Sequence, residues 1–104
     1  MDERKTLMKE FSYIVGSKNG IHARPAGLLV KKALTYLSEI IVFKGEKSVN
    51  LKNLFDLLSL GIKKNDEIRI VIEGEDESEA EVEIKNFFDE NFNRSCVAND
   101  SIKR

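Results

Sequence analysis

The spacing of apolar residues changes its period along the chain, and the order of those changes limits the folds open to it. From Lys9 to Gly16, Phe11, Tyr13 and Val15 alternate with Ser12 and Ile14, the two-residue period of a strand with one face toward a core. Gly16-Ser17-Lys18-Asn19-Gly20 then breaks the pattern. From about Ala23 to Leu37 the period lengthens: Ala26, Leu29, Val30, Ala33 and Leu37 fall three and four apart, with Lys31, Lys32 and Thr35 opposite. This predicts an amphipathic helix whose apolar stripe packs on a sheet. Glu39 to Lys44 is β-branched and apolar, Gly45-Glu46-Lys47 reads as a turn, and Ser48 to Asn50 as a short partner strand, so a hairpin is expected.

Asn53 is a good helix N-cap and Asp56, three residues on, resembles the acidic arm of a capping box. A short helix over about Leu54 to Leu60 follows, stopped by Gly61, with Leu57 and Leu60 inward. Glu67 to Glu73 returns to alternation, Ile68, Ile70 and Ile72 against Arg69 and Val71, and Gly74 ends it. A last helix begins near Asp76 to Ser78. Glu77, Glu79 and Glu81 suit its positive first turn, and Ala80, Ile84, Phe87 and Phe88 form its buried stripe, which fades by about Phe92. The order βαββαβα implies an α+β open-faced sandwich, a four-stranded sheet with three helices on one face.

At 104 residues the chain is expected to form one domain over 9–92, between a frayed lead-in over 1–8 and a mobile tail over 93–104. Lys and Arg number 17 against 18 Asp and Glu, and this balance gives no reason to expect nucleic acid or an anionic membrane as partner. No apolar run approaches a membrane span and Met1-Asp2-Glu3-Arg4-Lys5 lacks an apolar leader core, so the cytoplasm is the expected compartment. One Cys, Cys96, and one His exclude an internal disulfide and a His/Cys metal site, and no cofactor is expected.

The chemistry concentrates in Asn19-Gly20-Ile21-His22-Ala23-Arg24-Pro25-Ala26, which holds the chain's only His and only Pro. Pro25 suits the first turn of a helix, because its φ is already helical and its missing N–H is one the helix would leave unpaired. His22 then sits just ahead of the helix, facing free backbone N–H groups, the positive end of the helix dipole and the Arg24 guanidinium. That is a place for a divalent anion, and a phosphoryl group carried on His22 fits it.

Gly20-Ile21-His22-Ala23-Arg24-Pro25-Ala26 resembles the active-site segment of the HPr family, the histidine phosphocarriers of the bacterial sugar phosphotransferase system. Ser48-Val49-Asn50-Leu51-Lys52 and Leu57-Leu58-Ser59-Leu60-Gly61-Ile62 resemble the same family at its spacing from the histidine, and the likeness covers roughly residues 9 to 92. The resemblance implies a four-stranded antiparallel sheet. It also implies a carrier, not an enzyme, which accepts a phosphoryl group on His22 from phospho-enzyme I and passes it to IIA domains of sugar permeases. By the same resemblance the phosphorylated atom is Nδ1. Arg24, with the backbone of Ala23 and Arg24, would bind the phosphate. Gly27, Leu28, Lys31, Leu34, Leu54, Phe55 and Leu58 match the family's docking positions for enzyme I and IIA proteins. A monomer is expected.

The chain departs from the family pattern in places. Asn53 stands where many Gram-positive members carry a regulatory serine, and an amide caps a helix without being phosphorylated. Asp56 replaces the Gly or Lys of several members, and the chain runs about a dozen residues past the last helix. A regulatory module in which phosphate on His22 is a signal is the alternative to the carrier. A free-standing hydrolase is disfavoured, because no nucleophile or carboxylate adjoins His22 in the motif.

Overall fold

The computed structural model describes residues 8–92. The tail expected over 93–104 and the lead-in before Met8 lie outside the described residues. In chain order the elements are β1 (Lys9–Ile14), α1 (Ala23–Ala33), β2 (Glu39–Lys44), β3 (Lys47–Asn50), α2 (Leu54–Ser59), β4 (Glu67–Glu73) and α3 (Glu77–Asn91). This is the expected βαββαβα order.

All strand pairings are antiparallel and the sheet order is β1-β4-β2-β3. The registers Phe11↔Ile70 and Val42↔Ile70 align the apolar sets of three strands on one face. Ile40, Val42, Ile68, Ile70 and Ile72 are buried there with Ala26, Leu29, Val30 and Ala33 of α1, Leu57 of α2 and Ala80, Ile84 and Phe88 of α3. A one-residue slip of β4 would turn its three isoleucines to solvent, so burial itself fixes the register. On the other face Arg69 stacks over Phe43, 4.3 Å from the ring centroid, and pairs with Glu10 at 2.9 Å. The guanidinium thereby covers the half-buried Phe43 on this open face, which also carries the half-buried Ile41 and Val71.

The aromatic end of the core is built from Tyr13, Phe88 and Phe92. Both Tyr13 and Phe92 meet Phe88 edge to face, with centroids 5.1 and 5.4 Å away. The Tyr13 hydroxyl donates to the Phe88 carbonyl at 3.0 Å, and burial with Asp89 nearby pushes its ionisation well above the usual tyrosine range.

Two expectations need correction. α1 ends at Ala33, and Leu37 is not on its buried stripe but 78% exposed. The Thr35 and Tyr36 amides reach back only three residues, to the Lys32 and Ala33 carbonyls, and the Asp76 carboxylate takes the Leu37 and Ser38 amides, drawing the chain off the helical path. Lys47 belongs to β3 and not to the turn. The hairpin closes through Gly45-Glu46 between the paired Lys44 and Lys47, and Gly45 has the positive φ, +61°, that a first central position in such a turn demands.

The registers also define two ends of the sheet. Ile14↔Glu67 marks one and Glu39↔Glu73 the other, and α1 carries the chain from the first to the second.

Candidate functional site

The segment between β1 and α1 is held in place almost entirely through its backbone. The Phe92 carbonyl at the end of α3 accepts from the Gly16 and Ser17 amides at 2.7 and 3.1 Å. Val15 donates to Asp66 at 3.0 Å, and Ile21 donates to the Ile62 carbonyl at 3.1 Å. Gly20 lies against that same strip: its φ is +65°, and a Cβ there would fall 2.7 Å from Lys63 Cα and run into the Ile62 carbonyl oxygen. Only glycine satisfies both demands. The Ile21 side chain is buried, 7% exposed, which anchors the chain one residue before His22.

His22 is the N-cap residue of α1, with extended φ and ψ of -120° and 176°, and its side chain makes no cap hydrogen bond. Its carbonyl accepts the first intrahelical bond from Ala26 at 2.9 Å. Pro25 occupies the first turn, as its fixed φ allows. Among the described residues the amides of Ala23 and Arg24 find no acceptor, and the Arg24 guanidinium has no hydrogen-bond or ion-pair partner. The first turn contains no acidic side chain. His22, Ala23 and Arg24 are all exposed. Among the described residues an imidazole, two unpaired amides and a free guanidinium thus share a helix start with positive dipole potential and no carboxylate in its first turn. The His22 Nδ1 stands 3.4 Å from the Gly20 carbonyl oxygen.

The other expected residues fall on neighbouring surfaces of α1 and α2. Leu28 and Leu34 are 51% and 60% exposed, Lys31 is exposed and Gly27 half-buried. On α2, Phe55 is 83% exposed, whereas Leu54 and Leu58 are half-buried and pack against the core. A cavity of about 320 Å³ opens between Leu28, Lys31, Lys32, Thr35 and Phe87, so apolar surface with cationic edges continues from α1 toward α3. Asn53 caps α2 as expected, its side-chain oxygen accepting from the Asp56 amide at 3.1 Å. The reciprocal arm is replaced, because the Asn53 amide donates to the Asn50 carbonyl.

Lys44 and Ser17 were not marked by the sequence pattern. Lys44 Nζ donates to the Leu60 and Gly61 carbonyls at 3.2 and 3.1 Å and pairs with Asp66 at 3.2 Å. It ties the end of α2 to the strip on which Gly20 rests. The Lys63 amide and then Lys44 hold the Asp66 carboxyl below the usual range. Ser17 donates from its hydroxyl to the Gly20 carbonyl at 2.8 Å. A lysine 16 residues from its acceptor leaves no local signature, and Ser17 looks like any loop serine.

Among the described residues no helix is long and apolar enough to cross a membrane, and no group of three or more His, Cys, Asp or Glu could hold a metal.

Residues 9–90 match the family model described as the PTS HPr component phosphorylation site. The chain is 40% identical over 85 residues to the phosphocarrier protein HPr of Mycoplasma genitalium, across 81% of this chain and 97% of that one. Its fold resembles that of a mycoplasma histidine-containing phosphocarrier protein, with a TM-score of 0.77 and 36% identity over 79% of this chain and 93% of that one. It also resembles HPr from Bacillus anthracis, with a TM-score of 0.73 and 34% identity over 78% and 96% of the two chains.

Proposed function

Since the chain belongs to the HPr family of phosphocarrier proteins of the phosphotransferase system, we propose that it takes a phosphoryl group on His22 from phospho-enzyme I and hands it to IIA domains of sugar permeases. One observation carries this reading. The lone histidine is exposed at the start of a helix whose first two amides and Arg24 have no partner among the described residues, and whose first turn holds no acid.

A neutral imidazole is a nucleophile near physiological pH, and a phosphoryl group on nitrogen remains labile enough to move on. In the accepting step the bond from phosphorus to the donor's nitrogen breaks as the bond to an imidazole nitrogen of His22 forms, Nδ1 by the family likeness. Charge on the three peripheral oxygens is met by the Ala23 and Arg24 amides and by the planar fork of Arg24. Such positioning and charge stabilisation are most of what phosphoryl transfer asks of a protein. Leu28, Lys31, Leu34 and Phe55, with Gly27 and the half-buried Leu54 and Leu58, form the surface on which partners dock, and the chain works in the cytoplasm as a monomer.

The test is incubation of the purified chain with enzyme I, phosphoenolpyruvate and Mg²⁺, followed by phosphorus NMR. One acid-labile phosphorus signal is expected in the native chain and none in His22→Ala. Equal incorporation by His22→Ala would move the acceptor elsewhere and sink the assignment.

A further inference from the structure

The Gly20 carbonyl oxygen is a shared acceptor. Ser17 reaches it through its hydroxyl at 2.8 Å, and His22 Nδ1 stands 3.4 Å from it. A carbonyl oxygen only accepts, so the contact with His22 is a hydrogen bond only when Nδ1 carries the proton. In a neutral ring that leaves the lone pair on Nε2. If the proton is on Nε2 instead, the Nδ1 lone pair faces an oxygen that repels it. The backbone thus favours the tautomer that withholds Nδ1, and Ser17 occupies the same oxygen at the shorter distance.

We propose that Ser17 is a positioning residue that competes with His22 Nδ1–H for the Gly20 carbonyl, loosening the hold on that proton so that Nδ1 becomes available as nucleophile. This rests on the carrier reading and deepens it. For Nδ1 to accept phosphorus, its proton must leave to water while Nε2 takes one up, and the ring must turn away from Gly20, because a phosphoryl oxygen beside a carbonyl oxygen is repelled. Ser17 helps at both points. Its hydroxyl spreads the acceptor capacity of Gly20 over two donors before transfer, and keeps that carbonyl paired once the ring has gone. The Ser17 amide is separately fixed on the Phe92 carbonyl and the Gly20 amide on the Ser17 carbonyl, so the turn keeps its backbone bonds when the hydroxyl is removed.

The decisive variant is Ser17→Ala, with Ser17→Thr as the control that keeps a hydroxyl. The readout is the nitrogen-15 chemical shifts of the His22 ring, measured on the isolated chain at a pH where an ordinary imidazole is neutral. Ser17→Ala should move the tautomer ratio about threefold to tenfold toward the Nδ1–H form, the range expected for one modest hydrogen bond redistributed. Its rate of phosphorylation by enzyme I should fall by a similar factor, and Ser17→Thr should restore both.

A purely structural serine would lower thermal stability and leave the tautomer ratio where it was; that result overturns the proposal. A shift toward Nε2–H overturns it equally. Because the tautomer is read without enzyme I, a changed ratio in a chain that never accepts phosphate would remove the carrier reading while leaving the hydrogen-bond assignment standing.

Discussion

At the end of the sheet where β4 finishes and β2 begins, α3 opens with Glu77 and Glu79 in its first turn; α1, opening at the other end, has no acid in its first turn at all. Neither N-cap side chain bonds to its own helix, but they differ in what else they do. Asp76 spends its carboxylate on the Leu37 and Ser38 amides and the Ser38 hydroxyl. Glu77 is buried, 8% exposed, and accepts from the Gly74 amide at 3.0 Å. His22 makes one long contact to Gly20, and Arg24 makes none among the described residues. One helix start is therefore saturated in charge, though not in hydrogen bonds, by the chain's own carboxylates, and the other has none in its first turn. The same backbone physics yields a joint at one end and, on the proposed function, a site at the other.

The two ends share a device that lets them be separated experimentally. Gly20 rests on the Ile62–Lys63 backbone, and Gly74 rests on Ser38, where an added Cβ would fall 2.5 Å from Ser38 Cα. Gly20→Ala and Gly74→Ala should each destabilise by about 2–4 kcal/mol, from overpacking against backbone and, at Gly20, the left-handed φ. Urea denaturation measures this. Only Gly20→Ala should also lower the phosphorylation rate of the folded fraction, by about 100-fold, because it displaces His22. Equal losses of rate in both variants would mean that the ends are not separate in function.

Arg24→Ala comes next. An exposed guanidinium without a partner among the described residues contributes little to folding, so thermal unfolding should change by no more than about 0.5 kcal/mol. Phosphorylation should slow by about 10- to 100-fold through loss of charge stabilisation. Arg24→Lys should recover part of this, since a point charge lacks the planar fork. A variant that lost stability and kept its rate would assign Arg24 to the joint and not to the site.

The two ends also differed in how plainly they could be read. Local pattern exposed the receptive end: a proline two residues inside a helix start, a histidine just before it and a glycine-bounded loop are all near neighbours in sequence. The strand periods fixed the sheet because each face is set by alternate residues, and Glu67–Glu73 was found with its observed bounds. The saturated end depends on residues far apart. Asp76 was legible as a helix start, but not as the acceptor for amides 38 and 39 residues earlier, and so α1 was extended to Leu37 past its true end at Ala33. Lys44 was invisible for the same reason. On α2, a six-residue helix, the crowd of leucines implied that some must face out without saying which; packing chose Phe55.

Phe55 provides a smaller effect that sharpens the contrast between surface and joint. At 83% exposed it gives little to the core, so Phe55→Ala should leave unfolding nearly unchanged. If α2 docks enzyme I, its KM should rise about fivefold, an apolar contact of about 1 kcal/mol, with kcat for transfer unaltered. A fall in kcat at constant KM would place Phe55 in the chemistry instead of the docking surface.

The smallest effect is electrostatic and belongs to the saturated end. The Ser38 hydroxyl, then the Leu37 amide, hold the Asp76 carboxyl below its usual range. In the unfolded chain that carboxyl titrates near 3.9. Between the two values the unfolded state binds more protons, so stability must rise with pH across that interval. The contribution is complete above the unfolded value and disappears as pH falls through the depressed folded one. Asp76→Asn should then be less stable than the native chain at pH 7, with a gap that narrows steadily below about pH 4. Because solvent reaches the carboxylate, the gap should be modest. Its phosphorylation rate at neutral pH should match that of the native chain, since none of its bonds touches the His22 loop. A gap independent of pH would show that Asp76 acts through shape and not charge, and a slowed rate would show that the anion-saturated joint reaches across the sheet to the site after all.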